Sequence, residues 1–186
     1  MILSKNLLEE IKGLESFSNL KTLDLSENHI PKIKGLDHLI TLERLNLSMN
    51  EIREISNLDH KRKLKSLDLS HNKITEIKNL EHLVNLEYLN LRNNNILVIE
   101  NLDTLINLKT LDLGRNNIKE IKNLDNLCNL KRLYLDSNKI QELKGLKYLK
   151  KLINLNVYDN PIQKVEHIKN SNLEIFGLRD NFNNKK

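Results

Sequence analysis

Apolar and polar residues alternate along this chain in a pattern that returns every 22 residues. The stretch LKTLDLSENHI (20–30) reappears as LERLNLSMNEI (42–52) and as LKSLDLSHNKI (64–74). Aligned copies start near Asn19, Thr41, Lys63, Asn85, Asn107, Asn129 and Lys151, and share the template LxxLxLxxNxIxxIxxLxxL. A fixed period of this size marks a repeat architecture. Within LxLxx the apolar residues recur every second position, which predicts a short strand with one buried face. Such a strand cannot stand alone, but copies stacked in parallel about 4.8 Å apart bury each other's leucines. The template asparagine falls at Asn28, Asn50, Asn72, Asn94, Asn116, Asn138 and Asn160. Its amide both donates and accepts, so it can satisfy backbone groups left unpaired where the chain turns.

The second half of each repeat, IxxIxxLxxL, has helical or 3₁₀ spacing. Gly13, Gly35, Asn57, Asn79, Asn101, Asn123 and Gly145 precede its third apolar position; these residue types suit a left-handed turn or a helix start. The acids two residues on (Glu15, Asp37, Asp59, Glu81, Asp103, Asp125) suit the positive end of a short helix. The expected fold is therefore an α/β right-handed solenoid, with a parallel sheet on its concave side and short 3₁₀ or helical returns on its convex side. It forms one domain over 1–186: a partial first repeat at 1–18, seven repeats over 19–170, and a degenerate last repeat with a polar tail at 171–186. In that last repeat a period of 21 sets Leu173, Phe176 and Leu178 at core positions, followed by Asn181.

The pattern, with phrases such as IENL and IKNL, is similar to the leucine-rich repeats, in the 22-residue subclass typified by the regulatory subunit of protein phosphatase 1. The resemblance covers nearly the whole chain. It implies a non-catalytic scaffold that binds another protein, and it makes a protein phosphatase 1 catalytic subunit the first partner to test. The same repeat type also occurs in splicing, axonemal and bacterial surface or effector proteins, so the alternative is a structural segment of a larger cytoskeletal, axonemal or host-interacting protein. The chain starts inside a repeat at Leu3, and no aromatic cap follows Asn160-Pro161-Ile162. The ends are expected to be covered by further chain or by a partner.

Composition narrows the functional classes. There is no tryptophan, and 39% of residues are hydrophobic, so the core is aliphatic. Cys128 is the one cysteine; an intrachain disulfide is excluded and a cytoplasmic or nuclear location is expected. The first residues do not read as a secretory signal and no apolar run approaches the roughly 20 residues of a membrane span, so neither is expected. Phosphate-loop, GxSxG, HExxH and CxxC motifs are absent, so no catalysis and no cofactor are expected. Cys128 shares its column with Ile40, Val84 and Ile106 and reads as a semi-buried small hydrophobe. His38, His60 and His82 form a column that three imidazoles and a zinc ion could use. That column continues as Thr104, Asn126 and Tyr148, so an exposed, variable position is preferred and no metal is expected. Lys61 stands where other repeats have Leu39, Leu83 and Leu105; its stem is expected on apolar surface with its ammonium in water.

The strand x positions form the candidate binding surface. One column reads Asp24, Asn46, Asp68, Asn90, Asp112, Tyr134, Asn156, Gly177. The next reads Ser26, Ser48, Ser70, Arg92, Gly114, Asp136, Tyr158, Arg179. From the fourth repeat the columns leave consensus, and Tyr and Arg, the types enriched in interface hot spots, appear. The candidate protein-binding set is Asp68, Tyr88, Arg92, Asp112, Arg115, Arg132, Tyr134, Asp136 and Tyr158. Of these, Asp68, Asp112, Tyr134 and Tyr158 are the acidic and aromatic kinds of contact that the phosphatase-regulator resemblance implies. The whole chain has a formal charge of +5, yet acids and bases balance across the sheet positions. A nucleic-acid groove needs a positive track there, so nucleic acid is not an expected partner.

Overall fold

In a computed structural model, residues 1–166, 168 and 172–178 are described. Eight strands form one parallel sheet in chain order: β1 (Thr22–Asp24), β2 (Arg44–Asn46), β3 (Ser66–Asp68), β4 (Tyr88–Asn90), β5 (Thr110–Asp112), β6 (Arg132–Tyr134), β8 (Asn154–Asn156) and β10 (Glu174–Phe176). A smaller parallel pair joins β7 (Glu142–Leu143) to β9 (Lys164–Val165). The register runs Leu23, Leu45, Leu67, Leu89, Leu111, Leu133, Leu155, Ile175 across the sheet. From Leu23 to Leu155 these central residues are buried, together with Leu25, Ile30, Ile33 and Leu36 and their copies. The core is one continuous aliphatic column.

Asparagine ladders stitch the turns together. Asn94 donates from Nδ2 to the carbonyls of Leu69 and Leu91 at 3.0 Å and of Arg92 at 3.3 Å. Its Oδ1 accepts from the Ile74 amide at 3.0 Å. Asn50, Asn72, Asn116 and Asn138 repeat this set. The residue before each is left-handed, as at Glu27, Met49, His71, Asn93 and Arg115. A second ladder lies in the return. Asn79, Asn101 and Asn123 have φ of 57–58° and donate to the carbonyls of Ile55, Ile77 and Ile99 at 2.7, 2.7 and 2.8 Å. Gly35 and Gly145 hold the same conformation. Of the two options that these residue types leave open, a left-handed turn or a helix start, the turn is the one present.

The returns correct one expectation. Among the described residues there is no helix. Isolated i→i+3 turns, such as Leu39 N to Leu36 O and Leu64 N to Lys61 O, follow one another without joining. Each repeat has few residues for the journey back, and an extended path covers that distance with fewer residues than a helix. The acids of the return thus do not cap helices.

Two core details also differ from expectation. Lys61 is only 1% exposed: its ammonium lies inside the stack, 3.3 Å from the Asp37 carbonyl oxygen. Cys128 is exposed. The last repeat is shifted as well. Glu174 pairs with Asn154 and Ile175 with Leu155, so Ile175 takes the core position expected for Phe176. Phe176 lies opposite Asn156 on the open face and is 48% exposed. The column thus ends in Phe176 rather than Gly177, while Arg179 and Asn181 lie outside the described residues.

Candidate functional site

The open face of the sheet is built from three residues per repeat, and the middle one has a structural duty. Asp24, Asn46, Asp68, Asn90, Asp112 and Asn156 each accept, through Oδ1, the backbone N–H two residues ahead, at 2.9–3.1 Å. An Asx-type turn of this kind holds the chain as it leaves the strand. Consensus Asp or Asn there is explained by folding alone. Tyr134 in β6 and Phe176 in β10 occupy the same position and are the departures: neither side chain can accept that bond in the manner of Asp or Asn.

The candidate residues separate into groups. Asp68 is fully engaged, accepting from Ser70 N and Oγ and from Asn90 Nδ2. Arg115 lies in the left-handed turn beyond the sheet, with φ of 53°. Arg92, Asp112 and Asp136 form an internal clasp. Arg92 Nη1 and Nη2 donate to Asp136 Oδ1 and Oδ2 at 3.0 and 2.6 Å, two repeats away, and Nη1 reaches Asp112 at 3.5 Å. The guanidinium crosses over Gly114. A Cβ at that position lies 2.2 Å from Arg92 Nη1 and 2.8 Å from Asp136 Oδ1, so only glycine leaves the passage open. Asp136 holds the Arg92 guanidinium above its usual pKa. Burial raises Asp112 above the usual carboxylate range, against the opposing pull of the Gly114 amide and Arg92.

Repeat five is therefore a low saddle. Arg132 lies over its other end, with Nε donating to Thr110 Oγ1 at 3.1 Å. Tyr88 stands on the far side of the saddle, half-buried. Burial first, and then the negative charge of Asp68 and Asp112, raise its hydroxyl pKa. Tyr134 faces the same region from repeat six. Tyr158, 67% exposed, stands beyond the clasp. The side chains brought together are thus Tyr88, Arg92, Asp112, Arg132, Tyr134 and Asp136, with Tyr158 adjoining.

Two exposed apolar residues of the last repeats were not singled out from sequence. Phe176 was hidden by the register of the last repeat. Ile153 is exposed in a column that otherwise reads Lys21, Glu43, Lys65, Glu87, Lys109, Lys131. Those charges alternate as far as Lys109 and pair: Glu43 meets Lys65 at 2.9 Å and Lys21 at 3.7 Å, and Lys109 meets Glu87 at 2.7 Å. Ile153 breaks that column, and a comparison of the columns was enough to reveal it. Between Arg132 and Glu174 in the register sits Asn154, whose buried Oδ1 has no hydrogen-bond partner among the described residues.

The histidine column does not converge. His38 Nε2 lies 2.7 Å from the Leu14 carbonyl oxygen. Among the described residues no three His, Cys, Asp or Glu side chains are placed to hold a metal ion. No helix there is long and apolar enough to cross a membrane.

The family described as leucine-rich repeats (two copies) matches residues 18–60, 40–82, 62–107 and 106–148. No curated protein matches the chain. Among solved structures, internalin C2 of Listeria monocytogenes is 31% identical, with a TM-score of 0.86 over 94% of this chain and 78% of that one. A leucine-rich repeat protein of Leptospira interrogans is 31% identical, with a TM-score of 0.80 over 88% of this chain and 43% of that one. Internalin F of Listeria monocytogenes, 23% identical, has a TM-score of 0.78 over 94% of this chain and 58% of that one, and shows the fold alone. With the repeat register, the asparagine ladders and a family match across most of its length, the chain belongs to the leucine-rich repeat proteins.

Proposed function

We propose that this protein is a non-catalytic scaffold that binds another protein on the open, concave face of its sheet, over repeats four to eight. The observation that carries the reading is Tyr134. It replaces a residue type whose hydrogen bond the repeats of β1 to β5 and β8 use to leave the strand, and departures from a local rule are expected at functional sites. Around it, Tyr88 and Tyr158 add aromatic area. The face is preformed, so little ordering entropy opposes docking. Its acids and bases balance, which argues for a protein and against a nucleic-acid partner.

The finer reading, regulation of a protein phosphatase 1 catalytic subunit inside the cell, rests on the repeat length and on Asp68, Asp112, Tyr134 and Tyr158. Asp68 and Asp112 are held by internal bonds, so the aromatic pair would have to carry that contact. A second reading, a host-directed or structural repeat protein, is favoured by the bacterial solved structures to which the fold is similar.

Affinity capture with the wild-type protein beside Tyr134→Ala/Tyr158→Ala tests the concave-face reading. The expected result is one partner retained by the wild type and lost with the variant, whose circular dichroism is unchanged. Equal capture by both removes the concave face from consideration. Identification of the captured protein by mass spectrometry separates the phosphatase reading from the second.

A further inference from the structure

Asp112 lies on the floor of the saddle. Its own strand puts nothing tall beside it, since Thr110 is buried and Gly114 has no side chain. The neighbouring strands set Asn90 on one side of it and Tyr134 on the other. Arg92 closes the Gly114 end by reaching Asp136, and Arg132 closes the Thr110 end by bonding Thr110 Oγ1. The space left open stands above one carboxylate. Tyr88 and Tyr134, both half-buried, line it. The charge of Asp112 and the hydroxyl of Tyr134 both bear on the Tyr88 hydroxyl, so the two phenols flank the same group.

Two departures from consensus strip that carboxylate of partners. Asp68, in the same column, uses both oxygens: Oδ1 for the Ser70 amide and hydroxyl, and Oδ2 for Nδ2 of Asn90 in the next repeat. For Asp112 the serine is replaced by Gly114 and the next repeat's asparagine by Tyr134. Its Oδ1 accepts from the Gly114 amide at 2.9 Å and from Arg92 at 3.5 Å. No hydrogen bond among the described residues uses Oδ2. The internal bonds thus fix the carboxylate in place without using it up. The Arg92 charge is spent mainly on Asp136, to which it donates twice. Burial holds the Asp112 carboxyl above its ordinary range, as expected of a carboxylate short of counter-charge. On the strand positions of repeats three to six, Asp68, Asp112 and Asp136 outnumber Arg92 and Arg132 by one.

A cation satisfies both the open oxygen and the rings, because it hydrogen-bonds a carboxylate and is attracted to aromatic faces. A guanidinium matches a carboxylate through two parallel bonds, and Asp112 has one oxygen to give. An ammonium is a compact point charge on a flexible stem and needs one acceptor. We infer that the saddle of repeat five receives a lysine side chain of the partner protein, with its ammonium on Asp112 Oδ2 and its stem between Tyr88 and Tyr134. This inference rests on the concave-face reading and adds the chemistry of the contact.

The test is an NMR titration of the protein, carrying ring-labelled tyrosine, with Nα-acetyl-lysine methylamide. Saturable shifts of the Tyr88 and Tyr134 rings are expected, with half-saturation in the millimolar range. Nα-acetyl-arginine methylamide is expected to bind several-fold more weakly, and Nα-acetyl-norleucine methylamide, which lacks the charge, to leave both rings unmoved. Asp112→Asn keeps the turn bond, which Asn46, Asn90 and Asn156 make at the same position, and is expected to weaken lysine binding about tenfold through loss of one charged hydrogen bond. Asp24→Asn, the same change in a repeat without these tyrosines, is expected to leave it unchanged. Rings that do not shift, equal shifts with norleucine, arginine binding as tight as lysine, or indifference to Asp112→Asn overturns the inference. Partner capture that is lost in Tyr134→Ala/Tyr158→Ala but undiminished in Asp112→Asn leaves the concave-face reading standing while this one falls. Capture that survives the double variant removes both.

Discussion

Lys61 stands in a column of leucines, and its environment sets a measurable pH dependence. Burial lowers its pKa below the ordinary lysine value, with partial relief from the carboxylates of Asp37 and Asp59. The folded protein therefore binds this proton less tightly than the unfolded chain does. Stability is penalised at neutral pH, and the penalty fades as pH rises through the depressed folded pKa toward the unfolded value. Lys61→Leu, which restores the apolar column, is expected to stabilise the protein by about 1–4 kcal/mol at pH 7. The gap between variant and wild type should narrow when urea titrations are repeated at increasing alkaline pH. A constant gap places the ammonium in water. From sequence alone the substitution is plain to see. The fate of the ammonium is not, because a lysine stem can either snorkel or stay inside, depending on how closely the neighbouring turns close over it.

At the scale of the element, the strands are alike in their leucines and differ in what lies above them. Arg92, Gly114 and Asp136 act as one unit spanning three repeats. A double-mutant cycle of Arg92→Ala and Asp136→Ala is expected to give a coupling energy of about 1–3 kcal/mol, since the two side chains are only 27% and 10% exposed. Gly114→Ala places a methyl in the passage and should abolish most of that coupling when the cycle is repeated on its background. Coupling below about 0.5 kcal/mol would make the clasp an ordinary surface pair. The columns show each of these residues leaving consensus, but not that they bond to one another: partners 44 residues apart meet only because two turns of the stack intervene.

For the whole molecule, stability is a sum of repeats and the contacts between neighbours. Asn94, in a central repeat, satisfies three carbonyls and one amide across two turns. Asn94→Ala leaves those groups buried without partners and is expected to lower unfolding free energy by about 3 kcal/mol or more. Asn28 makes the analogous bonds at the first turn, where Leu3 and Leu8 are only partly buried. Asn28→Ala should therefore lose less and let the end fray, seen as a smaller urea m-value. Equal losses at both positions mean that the stack unfolds as a single cooperative block.

The period-22 pattern by itself determined the parallel stack, the buried leucine column and the asparagine at each turn. Every copy faces the same local geometry, so one physical solution is written many times and can be read by superposition. Only the tertiary structure decided the matters on which copies differ. It set the returns as linked turns rather than helices, because the span to be covered is fixed by the stack. It turned Phe176 outward, because pairing with β8 set the register of a shortened repeat. It locked Asp68, Asp112, Arg92 and Asp136 into internal bonds, left Tyr158 and Phe176 exposed and kept Tyr134 half-buried. A side chain's availability depends on neighbours one and two turns away, and those distances exist only once the chain is wound.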